Sequence, residues 1–261
     1  MATPGKGTLR CGGNTPCIEV RCGSRIIVID AGTGIRELGL KLEKEGVTEL
    51  DLLFSHFHMD HTQGFPFFTP AYHPGTRINI YAAPWAEHSL AEPFHKLMDQ
   101  PSFPVPFRYM SADIRFHEMN GSTHLGDVRV RSQTVNHPGG CIAFRLEYEG
   151  KALVYLTDHE PYGNAQDEEV REFTRGADVL IREAQYTAAE YELKRGWGHS
   201  RFDDAVSDAA RSEVKRLAIF HHDPEHDDLF LERELSELQS RYGSPELDIC
   251  LAREGQLIEL T

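Results

Sequence analysis

One run of six residues restricts this chain more than any other: His56-Phe57-His58-Met59-Asp60-His61, directly after the apolar segment Leu50–Ser55. His56, His58, Asp60 and His61 can each donate to a metal, and all four follow a segment that reads as a short buried strand. Ligands gather where strands end, because a short loop there can aim several side chains at one point. A fold is therefore needed in which strand ends converge.

The remaining sequence alternates strand and helix signals, as an α/β chain does. Cys17–Cys22 and Arg25–Asp30 read as a hairpin around Gly23-Ser24. Thr33–Glu45 reads as a helix with Ile35, Leu38 and Leu42 on one face and Gly46 closing it. Further strands are predicted at Arg77–Tyr81, Ile114–His117, Val128–Asn136, Cys141–Glu149 and Ala152–Thr157, then at Asp178–Ile181 and Arg216–Phe220, each of these last two after a helical segment. Asp228–Tyr242 has the pattern of an amphipathic helix, and Asp248–Leu260 that of a final hairpin. Pro84–Pro106, rich in Pro and Phe, reads either as a helix and loop over the site or as a plain surface connection. Its Phe94 and Phe103, with Phe107 and Tyr109, could offer a stacking surface for a base, with core or lid packing the expected role for most of them. No repeat and no linker is visible, so 1–261 is expected to form a single domain.

Composition excludes several classes. The formal net charge is −14, with 27 Lys and Arg against 41 Asp and Glu, and no Lys/Arg-rich run exists. An acidic surface repels a long polyanion, so no large nucleic-acid partner is expected. No stretch approaches the roughly 18 apolar residues of a membrane span, and the first residues lack the apolar core of a secretory leader. The expected location is the cytoplasm, with no membrane partner and room for a homodimer. The five cysteines (Cys11, Cys17, Cys22, Cys141, Cys250) form no Cys-x-x-Cys pair and read as free, buried thiols.

Imidazole and carboxylate together suit zinc, and also manganese or iron. The His-x-His-x-Asp-His pattern after an apolar strand resembles the metallo-β-lactamase superfamily. The resemblance implies a four-layer αββα sandwich: two mixed β-sheets flanked by helices, with the site at one edge. It also implies further ligands at later strand ends. His137 follows Val128–Asn136, Asp158 follows Ala152–Thr157, and His221 follows Leu217–Phe220, with His222 as the neighbouring alternative. The family pattern assigns His56, His58 and His137 to one ion and Asp60, His61 and His221 to a second, with Asp158 bridging. Two divalent ions are thus expected, Zn2+ first and Mn2+ or Fe2+ as alternatives. Asp30, in Ile29-Asp30-Ala31-Gly32-Thr33-Gly34, also matches the family. An acid there can accept a ligand histidine's second N–H. The Gly-Thr-Gly is too short for a nucleotide loop.

The segment between Asp158 and His221 narrows the chemistry. Ser200-Arg201-Phe202-Asp203 looks like a capping box, and Phe202, Ala205, Val206, Ala209, Ala210 and Val214 recur at helical spacing. His199 would therefore precede a helix N-terminus, a position that favours a phosphate. Glu183-Ala184, then Gly198-His199-Ser200, then His221 with Pro224 resembles the ribonuclease Z-like branch. That resemblance implies that His199 contacts the phosphate and protonates the leaving oxygen, with Glu183 orienting it. Gly12-Gly13-Asn14-Thr15, Pro66-Phe67-Phe68 and Gly196-Trp197-Gly198-His199-Ser200 extend the resemblance to bacterial metallo-hydrolases, some of them cyclic-nucleotide phosphodiesterase-like. Two departures stand out. The family's opening strand with its Gly-Ser-rich turn has no counterpart, so one sheet edge is expected to lack a strand. The basic insertion with which tRNA-processing members grip tRNA is absent too.

The expected activity is hydrolysis of small phosphodiesters such as cyclic nucleotides, by attack of a hydroxide bridging the two ions on phosphorus. Asp60, His199 and Glu183 are the expected catalytic residues. A tRNA 3′-end endonuclease, a hydrolase of non-phosphate esters or lactones, and a non-catalytic binding module are the competing readings.

Overall fold

The hairpin around Gly23-Ser24 forms: β1 (Ile18–Cys22) pairs antiparallel with β2 (Arg25–Ile29). The computed structural model describes residues 1–84 and 89–260; residues 85–88, inside the Pro84–Pro106 stretch, lie outside them. Backbone contacts divide the chain into two units, Met1–Ala2 with Asn14–Asn120 and Thr3–Gly13 with Gly121–Thr261.

In the first unit, α1 (Ile35–Lys44) follows β2, then β3 (Glu49–Phe54) and the short α2 (Met59–Thr62). After β4 (Arg77–Ala82) come α3 (Glu92–Leu97) and β5 (Asp113–Glu118). The sheet order is β1-β2-β3-β4-β5, and every pairing beyond the hairpin is parallel. Parallel strands are covered on both faces, which is why β3 is apolar along most of its length. Ile35 and Leu42 of α1 are fully buried with Val28, Leu52 and Ile80 of the sheet. Each such aliphatic side chain contributes on the order of 1.5–3 kcal/mol when removed from water. Phe94 is buried in this cluster and Phe103 and Phe107 pack against it, so these aromatics are core, while Tyr109 is exposed.

In the second unit, β6 (Ser122–Leu125), β7 (Val128–Val135), β8 (Cys141–Tyr148) and β9 (Lys151–Leu156) form an antiparallel meander. Then follow α4 (Ala165–Thr174), β10 (Val179–Glu183), α5 (Ala188–Lys194), α6 (Phe202–Arg211), β11 (Arg216–Phe220), α7 (Asp228–Tyr242) and β12 (Asp248–Leu251). The order is β12-β11-β10-β9-β8-β7-β6, with β9 to β12 parallel. Each unit is therefore built on a mixed sheet with helices, the element content the sequence implied.

Three expectations are corrected. The final hairpin does not form: after β12 the chain turns at Arg253–Gln256, with Gly255 at φ +72°, and Glu254 N–H bonds back to Cys11 O. A Gly there breaks the alternation that suggested a second strand. The helix N-cap sits one residue later than read, and only one half of a capping box forms, because an arginine side chain cannot accept. The N-cap is Arg201, whose N–H donates to Asp204 at 3.3 Å, while the Ser200 hydroxyl donates to the Glu183 carbonyl at 3.1 Å. Three short elements were missed, α2, β6, which is mostly polar, and α5. The last does carry a readable signal, the Thr187/Glu190 capping box.

Candidate metal centre

In the first unit the chemistry sits at the C-terminal ends of neighbouring parallel strands, where open α/β sheets place their ligands. β3 delivers Ser55 and His56, and β2 delivers Asp30. The rings of His58 and His61 lie 4.5 and 4.3 Å from that of His56. Nε2 of His61 is 3.7 Å from Oδ2 of Asp60. Asp30 is fully buried and meets Nδ1 of His61 at 2.8 Å, while accepting the N–H (2.8 Å) and the hydroxyl of Ser55. A carboxylate on Nδ1 fixes the tautomer that leaves Nε2 able to bind an ion. Glycine at 32 serves close packing: a Cβ there would lie 2.5 Å from Asp60 O and 2.4 Å from Thr15 Oγ1. The Gly-Thr-Gly run thus seats the Asp30 turn against the histidine loop.

In the second unit, parallel β9, β10 and β11 end at one edge with Asp158, Glu183 and His221. β7 runs in the same direction as β9, so His137 reaches that edge too. Asp158 presents one oxygen to each imidazole. Oδ2 is 3.4 Å from Nε2 of His137, and Oδ1 is 3.4 Å from Nε2 of His221. A tetrahedral ion with bonds of about 2.0–2.1 Å holds adjacent donors about 3.3–3.4 Å apart. The donor spacing at Asp158 therefore fits a site for a divalent ion. Nδ1 of His137 meets the Gly198 carbonyl at 2.9 Å, and Nδ1 of His221 meets the Gln185 amide at 2.7 Å. Both contacts leave Nε2 facing Asp158. A ligand His221 donates its Nδ1–H, which the Gln185 oxygen accepts once that amide is turned over.

Asp30, Asp158 and His221 all have positive φ, at 60°, 47° and 54°. The left-handed region costs a non-glycine residue on the order of 1 kcal/mol, and such strain clusters at functional sites. All three mark the point where a strand ends and a side chain must turn sideways.

Behind this edge, Glu183 is fully buried. Its Oε1 accepts the N–H groups of Ser200 (2.7 Å) and His159 (3.2 Å). Its Oε2 makes no hydrogen bond and lies 3.8 Å from Nδ1 of His199. Burial, and then the negative charge of Asp158, push the carboxyl up to about 8. The His199 ring stands 5.4 Å from both His137 and His221. Asp158, His199 and His221 each offer a donor atom within 4.8 Å of one another, so His199 is within reach of an ion held there. Of the two adjacent rings, His221 is the one that faces Asp158, with Nε2 3.4 Å from Oδ1.

The profile of the β-lactamase superfamily domain matches residues 25–222. The chain belongs to the β-lactamase superfamily. Ribonuclease Z of Thermococcus kodakarensis is 28% identical over 265 residues, covering 80% of this chain and 78% of that protein. Among solved structures, a diphosphatase of the PhnP family is 21% identical, with a TM-score of 0.66 over 95% of this chain and 85% of its own. The short form of human tRNase Z is 18% identical, with a TM-score of 0.65 over 100% of this chain and 97% of its own. These likenesses show the metallo-β-lactamase fold expected from the sequence, and the chain is a hydrolase of that fold. The superfamily's proteins of this fold use divalent metals, and the hydrolase carries the His/Asp groups that could hold one.

Sequence reasoning missed three contacts at the site, those of Ser55, Gln185 and the Gly198 carbonyl. Ser55 and Gln185 lie next to named positions, but nothing in their spacing says which ring they touch.

Proposed function

We propose that the hydrolase is a dinuclear phosphodiesterase acting on small diesters such as cyclic nucleotides, in a single domain over 1–261. The carrying observation is Asp158, with one oxygen on each of His137 and His221, beside a buried Glu183 that faces His199. His56, His58 and His137 would hold one ion and Asp60, His61 and His221 the other, with Asp158 serving both. Zinc suits this donor set best, with manganese or iron as alternatives. When bound, two such ions supply positive charge for the phosphoryl oxygens and an acidified water.

The chain's own residues do the rest. Asp30 holds His61 in its tautomer, and Asp60 helps orient the nucleophile. His199 gives a proton to the leaving oxygen, and Glu183 orients and charges its imidazole. The names ribonuclease Z and tRNase Z among the relatives favour a tRNA 3′-end endonuclease as the second reading. The net charge of −14 speaks for the small substrate. No helix among the described residues is long and apolar enough to cross a membrane, in keeping with a cytoplasmic role.

The test is turnover of bis-p-nitrophenyl phosphate and a cyclic-nucleotide panel beside a pre-tRNA, across a salt series. Turnover of the small diesters with poor pre-tRNA cleavage is expected. Efficient, steeply salt-dependent cleavage of pre-tRNA would favour the endonuclease, because that dependence reports phosphate contacts along a polymer.

A further inference from the structure

Glu160 is fully buried and takes no part in the chemistry above, yet four donors converge on its carboxylate. Oε1 accepts the Tyr191 hydroxyl and the Gly196 N–H, each at 2.8 Å. Oε2 accepts the Gly198 N–H at 2.8 Å and the Tyr162 hydroxyl at 3.4 Å. The backbone N–H of Glu160 donates to Asn136 O at 2.9 Å, one residue before His137. A single residue thus ties the end of β7, through its backbone N–H, to the Gly196–Gly198 loop, through its carboxylate.

That loop reaches the site by two routes. The Gly198 carbonyl meets Nδ1 of His137 at 2.9 Å, and the next residue is His199. The fit is close. Gly198 sits at φ +91°, and a Cβ there would lie 2.2 Å from Nδ1 of His137. Gly196 and Trp197 are exposed and bring the loop no apolar packing of their own, while Gly198 is buried against His137 and Pro138, so the loop's position depends on these hydrogen bonds and on that close fit. All four partners are donors, which a carboxylate satisfies and an amide does not, since the amide sets an NH2 against N–H groups.

We propose that Glu160 is a positioning residue that sets the Gly196–Gly198 loop, and through it both the Gly198 bond to His137 and the placement of His199. The proposal rests on the reading that His137 holds an ion and His199 acts on the leaving group.

The test is Glu160→Gln in the metal-loaded protein, read by release of ions to a chelator. One of the two ions should leave about 10–100-fold faster, the usual effect of losing a group that orients a ligand histidine, while the other leaves at the wild-type rate. Tyr191→Phe deletes one donor to the same carboxylate but keeps both glycine bonds. It should lower the Tm without changing ion release. If Glu160→Gln lowers the Tm as Tyr191→Phe does and both ions leave at wild-type rates, the proposal is wrong. Hydrogen exchange of the wild-type protein supplies the second measurement and covers a variant that fails to fold. The Gly196 amide should be protected although its residue is exposed, and free exchange there overturns the proposal. A wild-type protein that binds no ion would instead sink the metal reading, and the exchange result would still decide the role of Glu160.

Discussion

Replacing His199 by alanine separates phosphodiester chemistry from the other reactions this fold could carry. A positioned acid is worth about 10²–10⁴-fold in kcat, so His199→Ala should cost that much on a diester whose leaving group is a ribose oxygen. The loss should shrink toward nothing for p-nitrophenyl esters, whose leaving group departs without a proton. The structure also sets the share due to Glu183. Its Oε2 lies 3.8 Å from Nδ1 of His199, and opposite charges about 4 Å apart interact by about 4 kcal/mol at an effective dielectric near 20. That is an upper bound of about 10³-fold, because ionising a carboxyl already pushed up to about 8 by burial offsets much of it. Glu183→Gln is therefore expected to cost nearer 10-fold, and the double variant to be little worse than His199→Ala, since groups acting as a unit are not additive. The assay is kcat on paired substrates differing only in leaving group, with metal content measured for every variant. Equal losses on both substrates would refute the acid role. A loss of metal would make His199 a ligand, which its distance from Asp158 and His221 allows.

Two further outcomes follow from the buried carboxylates. In the metal-free protein Glu183 has a folded pKa near 8 against an unfolded value near 4.5, so the folded state binds more protons between those values. Its stability should fall as pH rises through that window, and Glu183→Gln should flatten the slope in chelator-treated denaturation curves; a slope unchanged by the substitution would show that other groups set it. Asp30→Asn should lower affinity for one ion by about 10–100-fold because it weakens the contact that orients His61; unchanged affinity in a competition titration would remove Asp30 from the site.

The candidate ligand loop could be proposed from sequence because its residues are adjacent, so the spacing itself carried the signal. His137, Asp158 and His221 were legible only as pattern positions, since each is a lone polar residue after an apolar strand. What no periodicity encodes is which groups sit behind them. Glu160 looks like any acid near a loop until the fold brings Gly196 and Gly198 onto it. Ser200 read as a helix cap because it stands three residues before an acid, but tertiary contact claimed its hydroxyl for the Glu183 carbonyl. The last hairpin failed for a related reason: past Leu251 the Ala252 N–H bonds to the Ile219 carbonyl of β11 and the Glu254 N–H to the Cys11 carbonyl, so the chain does not fold back on β12.

The central claim is that Asp158 serves two ions at once. Elemental analysis of the freshly purified protein and of Asp158→Ala tests it most directly. The account predicts close to two transition-metal ions per wild-type chain and the loss of both in the variant, whereas His137→Ala and His221→Ala each lose about one. A wild-type value near zero that added zinc or manganese does not restore would contradict it, as would an Asp158→Ala protein that keeps one ion fully bound.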